Sequence, residues 1–291
     1  MESSAAADRR KESSKGAESP GGAHLTPVLG NAQADRGTDD SDDGQSTSSM
    51  ESSTLHAFRE HALAHGVNPV LYWLGRALLV PFFLIYFRIA RLGREHIPSS
   101  GPVLLAANHR SFLDPFVIGA LTRRPVYYMA KRELFEHRWQ AWLLNSLGAF
   151  PVDRGHGDEQ AMATARAILE RGDCVVIFPE GTRVRPGPLA HPHRGVGRLA
   201  LQTGAPVVPV AVLGTEDVRR GWRIRPRKVS LRCGRPLRFP QAERPTPAMA
   251  LGVSERIWAC VSLQWEWLGG ARAIPEAETP SGDSGRHARA A

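Results

Sequence analysis

Hydrophobic and polar positions divide the chain into a patterned middle and two unpatterned ends. Residues 1–54 are poor in apolar side chains and dense in Ser, Gly, Asp and Ala, as in Asp39-Asp40-Ser41-Asp42-Asp43-Gly44, and residues 270–291 are similar. Such segments cannot bury enough surface to offset their ordering entropy. Both ends are therefore expected to be disordered tails, the first of them acidic, around a folded region of about residues 55–269.

The most apolar run, residues 70–87, is interrupted by Arg76 and Pro81 and closed by Arg88 and Arg91. A spanning helix needs about 20 apolar residues, and only eleven lie uninterrupted between Arg76 and Arg88. The pattern predicts a kinked or interfacial pair of membrane-associated helices within residues 55–92. Tyr72, Trp73 and Tyr86 suit the interface, and the arginines can reach towards headgroups. A buried core helix is the alternative reading.

Beyond residue 92, short apolar runs alternate with helical stretches, which is the rhythm of an α/β fold. Strands are predicted at 103–107, 126–129, 150–152, 174–178, 207–213 and 228–233, several of them apolar enough to be buried on both faces. Helices are predicted at 114–121, 159–171 and 196–203, the last two closed by Gly172 and Gly204. The expected architecture is a mixed, mostly buried sheet flanked by helices over residues 93–269.

Charge sharpens this division. The chain carries a formal +8. Residues 1–54 hold 5 Lys/Arg against 10 Asp/Glu, and residues 270–291 hold 3 of each, so the region between them carries +13. Such a surplus suits phosphates, acidic lipid headgroups or nucleic acid. The three cysteines, Cys174, Cys233 and Cys260, lack CxxC spacing and sit among apolar residues, as expected of reduced core thiols in a cytoplasmic setting. No basic region followed by an apolar core opens the chain, so targeting is expected to come from elsewhere.

Candidate chemistry lies directly after two predicted strands. In Asn108-His109-Arg110-Ser111-Phe112-Leu113-Asp114-Pro115 a histidine and a carboxylate are five apart. On a continuous helix that spacing separates them by about 140°, so they meet only if the chain turns between them, with Ser111 as a candidate N-cap. An imidazole held by a carboxylate through one nitrogen presents the other as a general base, which fits deprotonating an alcohol as it attacks a thioester. No G-x-S-x-G elbow is present and no cysteine has a histidine close in sequence, consistent with direct transfer without a covalent acyl-enzyme. In Phe178-Pro179-Glu180-Gly181-Thr182-Arg183, Arg183 offers a planar fork for a phosphate and Gly181 permits close backbone approach. Glu180 could accept from a glycerol hydroxyl or hold the arginine.

Together these segments resemble the 1-acylglycerol-3-phosphate acyltransferase family, whose first and third motifs are N-H-x-x-x-x-D and F-P-E-G-T-R. Gly148-Ala149-Phe150-Pro151-Val152-Asp153-Arg154 is similar to its second block and Val208-Pro209-Val210-Ala211-Val212 to its fourth. The resemblance implies His109 as base and Asp114 as its partner. It implies Glu180, Gly181, Thr182 and Arg183 as the acceptor-binding loop, and Arg154 beside Arg183 on the acceptor's phosphate. Pro209 would shape the site's floor or an acyl channel, or simply belong to a buried strand. The implied donor is acyl-CoA or acyl carrier protein and the implied acceptor a lysophospholipid, foremost lysophosphatidic acid, at an anionic membrane surface on the cytoplasmic face. No metal or further cofactor is expected.

One departure from the family pattern is His193-Arg194-Gly195, where many relatives carry lysine and glycine. Arginine keeps the charge and changes the geometry, so glycerol 3-phosphate, another lysophospholipid or an amine-bearing lipid remain alternative acceptors. A non-catalytic protein that binds anionic lipid is a further alternative. Gly195-Val196-Gly197-Arg198-Leu199-Ala200 fits a loose dinucleotide pattern but follows Pro192 and His193 where a strand is required. His61 and His65, four apart, have no evident third metal ligand. The basic run at 219–228 is read as contact with anionic lipid or coenzyme A phosphates rather than nucleic acid.

Overall fold

The computed structural model describes residues 56–153, 158–184 and 187–270. The segments read as tails, 1–54 and, apart from Gly270, 270–291, and Arg154 of the second block lie outside those residues. The chain opens with helical residues 56–64 (α1) and α2 (Pro69–Tyr86), then β1 (Ala90–Leu92), β2 (Val103–Ala107), α3 (Asp114–Leu121) and β3 (Val126–Lys131). Next come α4 (Arg138–Ser146), β4 (Ala149–Val152), α5 (Glu159–Glu170), β5 (Cys174–Ile177), α6 (Gly195–Thr203) and β6 (Val207–Leu213). The two-residue strands β7 (Arg219–Arg220) and β8 (Arg223–Ile224), β9 (Ser230–Cys233) and α7 (Pro247–Trp267) complete the order.

Seven strands form one sheet in the order β1-β9-β6-β2-β5-β3-β4. β9 runs antiparallel to β6, and the remaining neighbours are parallel. Parallel strands require covered faces, and the alternation along β2 shows how that is met. Leu104 and Ala106 pack into a core with Ile168 of α5, Leu199 of α6 and Ile257 of α7. Val103, Leu105 and Ala107 face the other way, towards Phe83 of α2 and Val117 and Ile118 of α3. The predicted mixed sheet flanked by helices is what the chain forms.

Two expectations need correction. Residues 90–92, grouped above with the membrane helices, form β1 and pair with β9 at the edge of the sheet; three residues are too few to show a strand's alternation. The apolar run 70–87, expected to be kinked or split, is one continuous helix with Pro81 inside it, and the other helix within residues 55–92 is α1. Arg76 interrupts the run because its guanidinium donates to the carbonyls of Gly119, at 2.5 Å, and Thr122 at the C-terminal end of α3, where the helix dipole favours a cation. α2 therefore packs Tyr72 and Phe83 inward. It leaves Leu74, Leu78, Phe82 and Ile85, at i, i+4, i+8 and i+11, exposed along one stripe.

The glycine pattern at α6 also has a packing cause. A Cβ on Gly197 would lie 2.0 Å from the carbonyl oxygen of Ala250 in α7, and the Gly197 amide donates to Ser254 Oγ at 2.9 Å. Helix against helix, not nucleotide binding, accounts for glycine here. Gly197→Ala is expected to lower the unfolding free energy by about 1–3 kcal/mol through overpacking, seen as a lower urea midpoint; an unchanged midpoint would show that α6 and α7 do not approach so closely.

Candidate active site

The sheet's register assembles the site. β2 pairs with β5 so that Ala106 lies opposite Ile177, and with β6 so that Ala107 lies opposite Val210. The residues that follow β2 thus emerge between those following β5 and the end of β6, at the carboxyl edge where α/β sheets place their ligands. Asn108 fastens this edge. Its side-chain amide donates to the Val212 carbonyl at 2.9 Å and its oxygen accepts from the Val212 amide at 2.8 Å.

After Asn108 the chain turns and brings His109 back against Asp114. His109 Nδ1 donates to Asp114 Oδ2 at 2.8 Å, since a carboxylate can only accept. The same oxygen accepts from the amides of Arg110 (2.6 Å) and Ser111 (2.7 Å). Asp114 Oδ1 accepts from the Thr215 hydroxyl at 2.5 Å. Asp114 is 0% exposed and His109 5%, so four donors satisfy a carboxylate that water does not reach. The predicted turn exists, but Ser111 is not the N-cap of α3; Leu113 holds that position, and the Asp114 carboxylate closes the turn by reaching back to two amides.

Phe178 stacks on the imidazole, with ring centroids 4.1 Å apart and planes at 21°. The loop beyond it is tied to His109 by two bonds. Glu180 Oε2 accepts from the His109 amide at 2.7 Å, and the Val184 amide donates to the His109 carbonyl at 2.9 Å. The other Glu180 oxygen accepts from the Ala190 amide at 3.0 Å. Glu180 is 4% exposed, so both its oxygens brace the loop, in place of the expected grip on an acceptor hydroxyl or on Arg183. Burial pushes its carboxyl above the usual carboxylate range, and the two amides draw it partly back. Gly181 has φ 69°, and a Cβ there would come within 2.9 Å of the His193 ring; glycine is required both for backbone conformation and for that approach.

Two cavities meet at His109, Met129 and Phe178. One, of about 340 Å³, is chiefly apolar, lies against α2 and includes Phe112, Phe116 and Arg183. The other, of about 780 Å³, takes in Gly181, Thr182, His193, Arg194 and Arg198. The expected site residues His109, Gly181, Thr182 and Arg183 therefore line one or other of two adjoining spaces, while Asp114 and Glu180 stand behind them as supports. Pro209 lines neither cavity and is a buried strand residue. His61 bonds Asn145 through Nδ1 at 2.5 Å and stacks on His65.

Thr215 and Phe178 are contributors whose roles the sequence reading missed. Thr215 is 101 residues from Asp114, and only the pairing of β2 with β6 brings them together. The role of Phe178 was open to inference, because an aromatic directly after β5 stands beside whatever follows β2.

The chain is similar to known acyltransferases. Residues 88–213 match the acyltransferase family model. The 1-acyl-sn-glycerol-3-phosphate acyltransferase of Bacillus subtilis strain 168 is 31% identical over 172 residues, covering 56% of this chain and 83% of that protein. The lyso-ornithine lipid O-acyltransferase of Pseudomonas aeruginosa PAO1 is 35% identical over 117 residues, 40% of this chain and 45% of that protein. Among solved structures, the 1-acyl-sn-glycerophosphate acyltransferase PlsC from Thermotoga maritima shares the fold, with a TM-score of 0.53 at 20% identity over 79% of this chain and 99% of that one. The chain is an O-acyltransferase that belongs to the 1-acyl-sn-glycerol-3-phosphate acyltransferase family.

Proposed function

We propose that the protein transfers a fatty acyl group from acyl-CoA or acyl carrier protein to the free hydroxyl of lysophosphatidic acid, giving phosphatidic acid, by direct attack with His109 as general base. The observation that carries this reading is that His109, held through Nδ1 by Asp114, lines both cavities at their junction. Nε2 takes the acceptor hydroxyl's proton as its oxygen attacks the thioester carbonyl. The tetrahedral intermediate collapses by breaking the C–S bond, and the imidazolium returns the proton to the departing thiolate. Asp114 stabilises the imidazolium between these steps.

Direct transfer is supported by the state of the buried thiols. Burial pushes Cys174 and Cys233 up to about 12, which leaves them protonated and poor nucleophiles. Arg183 suits the acceptor's phosphate, and the apolar cavity beside α2 suits hydrocarbon arriving from a bilayer. The exposed stripe of α2, in a helix of mean hydropathy 1.5 that is 11% buried, suits attachment to a membrane, which the proposal takes to be at its cytoplasmic face. The similarity to a lyso-ornithine lipid O-acyltransferase favours one second reading, an amine-bearing lipid as acceptor. His193 and Arg194, where this chain departs from the family pattern, line the larger cavity and would take part in that choice.

His109→Ala is expected to lower kcat by about 10²–10⁴ with membrane binding and folding intact, and Asp114→Asn to lower kcat with little change in KM. Near-normal turnover by the purified His109→Ala protein would remove the base from the mechanism. Arg183→Ala should raise KM for lysophosphatidic acid by about tenfold or more, the weight of a charged hydrogen bond, while KM for the acyl donor holds. Equal effects on both substrates, or full activity with lyso-ornithine lipid and none with lysophosphatidic acid, would overturn the acceptor assignment.

A further inference from the structure

The basic run beyond β6 folds into a hairpin that the reaction does not use. β7 and β8 pair antiparallel, Arg219 opposite Ile224 and Arg220 opposite Arg223, leaving Gly221 and Trp222 as a two-residue turn. Gly221 sits at φ 63°, the left-handed conformation that such turns require. Trp222 at the tip is 86% exposed, more than any other large apolar side chain among the described residues, and no packing explains why an indole stands there. Around it, residues 219–228 hold six Lys/Arg and no carboxylate. The Arg223 guanidinium lies 5.4 Å from the Trp222 ring.

The hairpin's position gives this surface a partner. Tyr86 Oη, at the end of α2, donates to the Ile224 carbonyl at 3.1 Å, and the Phe82 ring, part of the exposed stripe, stacks on Tyr86 at 5.2 Å. The Arg219 guanidinium lies 5.9 Å from the ring of Phe112, which lines the apolar cavity. The apolar stripe, the aromatic tip, the arginines and the rim of that cavity are therefore contiguous. Indole rings settle at the level of lipid headgroups, and clustered arginines concentrate at anionic leaflets; an apolar face bounded by such a cluster is complementary to an anionic bilayer.

We infer that the Arg219–Ile224 hairpin is a second membrane-docking element, which seats Trp222 among anionic headgroups and holds the rim of the apolar cavity at the bilayer surface. This rests on the reading of the enzyme as one that works at a membrane. The two are tested separately by assaying acyl transfer in detergent micelles and binding on vesicles.

The full chain is mixed with vesicles of phosphatidylcholine, with and without phosphatidylglycerol. Arg223→Gln is expected to weaken binding to the phosphatidylglycerol vesicles about fivefold, the weight of one basic side chain at an anionic surface. Trp222→Ser should weaken binding to both, and neither variant should change turnover in micelles. Trp222→Phe keeps an aromatic tip, and it should lose the part of the wild-type fluorescence that brominated phosphatidylcholine quenches. Unchanged vesicle binding in the first two variants, or identical quenching in wild type and Trp222→Phe, would overturn the proposal. So would lipid-independent dimerisation abolished by Trp222→Ser, or RNA binding abolished by Arg223→Gln while vesicle binding persists. Wild-type failure to acylate in micelles would instead overturn the catalytic reading and leave the docking result standing.

Discussion

The bond from His109 to a wholly buried Asp114 is the constraint on which the rest of the site depends. A carboxylate shielded from water is tolerable only if nearly every lone pair is engaged, and here the four donors come from the turn after β2 and the loop after β6. Satisfying that one group fixes the turn, the ring orientation and the distance between two loops more than a hundred residues apart in sequence. The Phe178 ring and the Glu180 brace then hold the third motif against the same histidine. Buried polar networks of this kind are rigid because any displacement strands a donor or acceptor.

Much of this was legible in the chain. Strands 103–107 and 207–213 and helix 114–121 fall where their apolar runs and breaks predict, the other predicted elements of the sheet region differ by a few residues at their ends, and α4, β7 and β8 are not among those predicted. The motif residues were found because His109, Asp114 and the Phe178 to Arg183 segment directly follow buried strands. What stayed hidden depends on register or partners. Thr215 becomes a neighbour of Asp114 only once β6 is laid beside β2. Glu180 was expected to face the acceptor because nothing in a hexapeptide reveals that two distant amides will claim both its oxygens. Arg76 looked like a flaw in a membrane helix because the carbonyls it caps belong to another element. α7 was overlooked although its buried positions, Ala250, Ser254, Ile257, Val261 and Trp265, keep a helical rhythm after the Thr246-Pro247 start.

The two cavities are supported by helices on opposite faces of one sheet. α5, α6 and α7 cover one face and support the larger cavity, with glycine at 197 setting how closely two of them approach. α2 and α3 cover the other face, and there the apolar cavity, the exposed stripe and the arginine hairpin adjoin. In the proposed function the acceptor's hydrocarbon reaches the site from the second side, and His109, which lines both cavities, is the residue that acceptor and thioester would both meet.

The orientation of the His109 ring tests this account most directly, and nitrogen NMR of 15N-histidine-labelled protein reads it, with the signal assigned by comparison with a His109→Gln sample. For the neutral ring, the account predicts the tautomer with the proton on Nδ1, bonded to Asp114, and an unprotonated Nε2 whose signal shifts when lysophosphatidic acid is added. A ring protonated on Nε2 and indifferent to the lipid would contradict it.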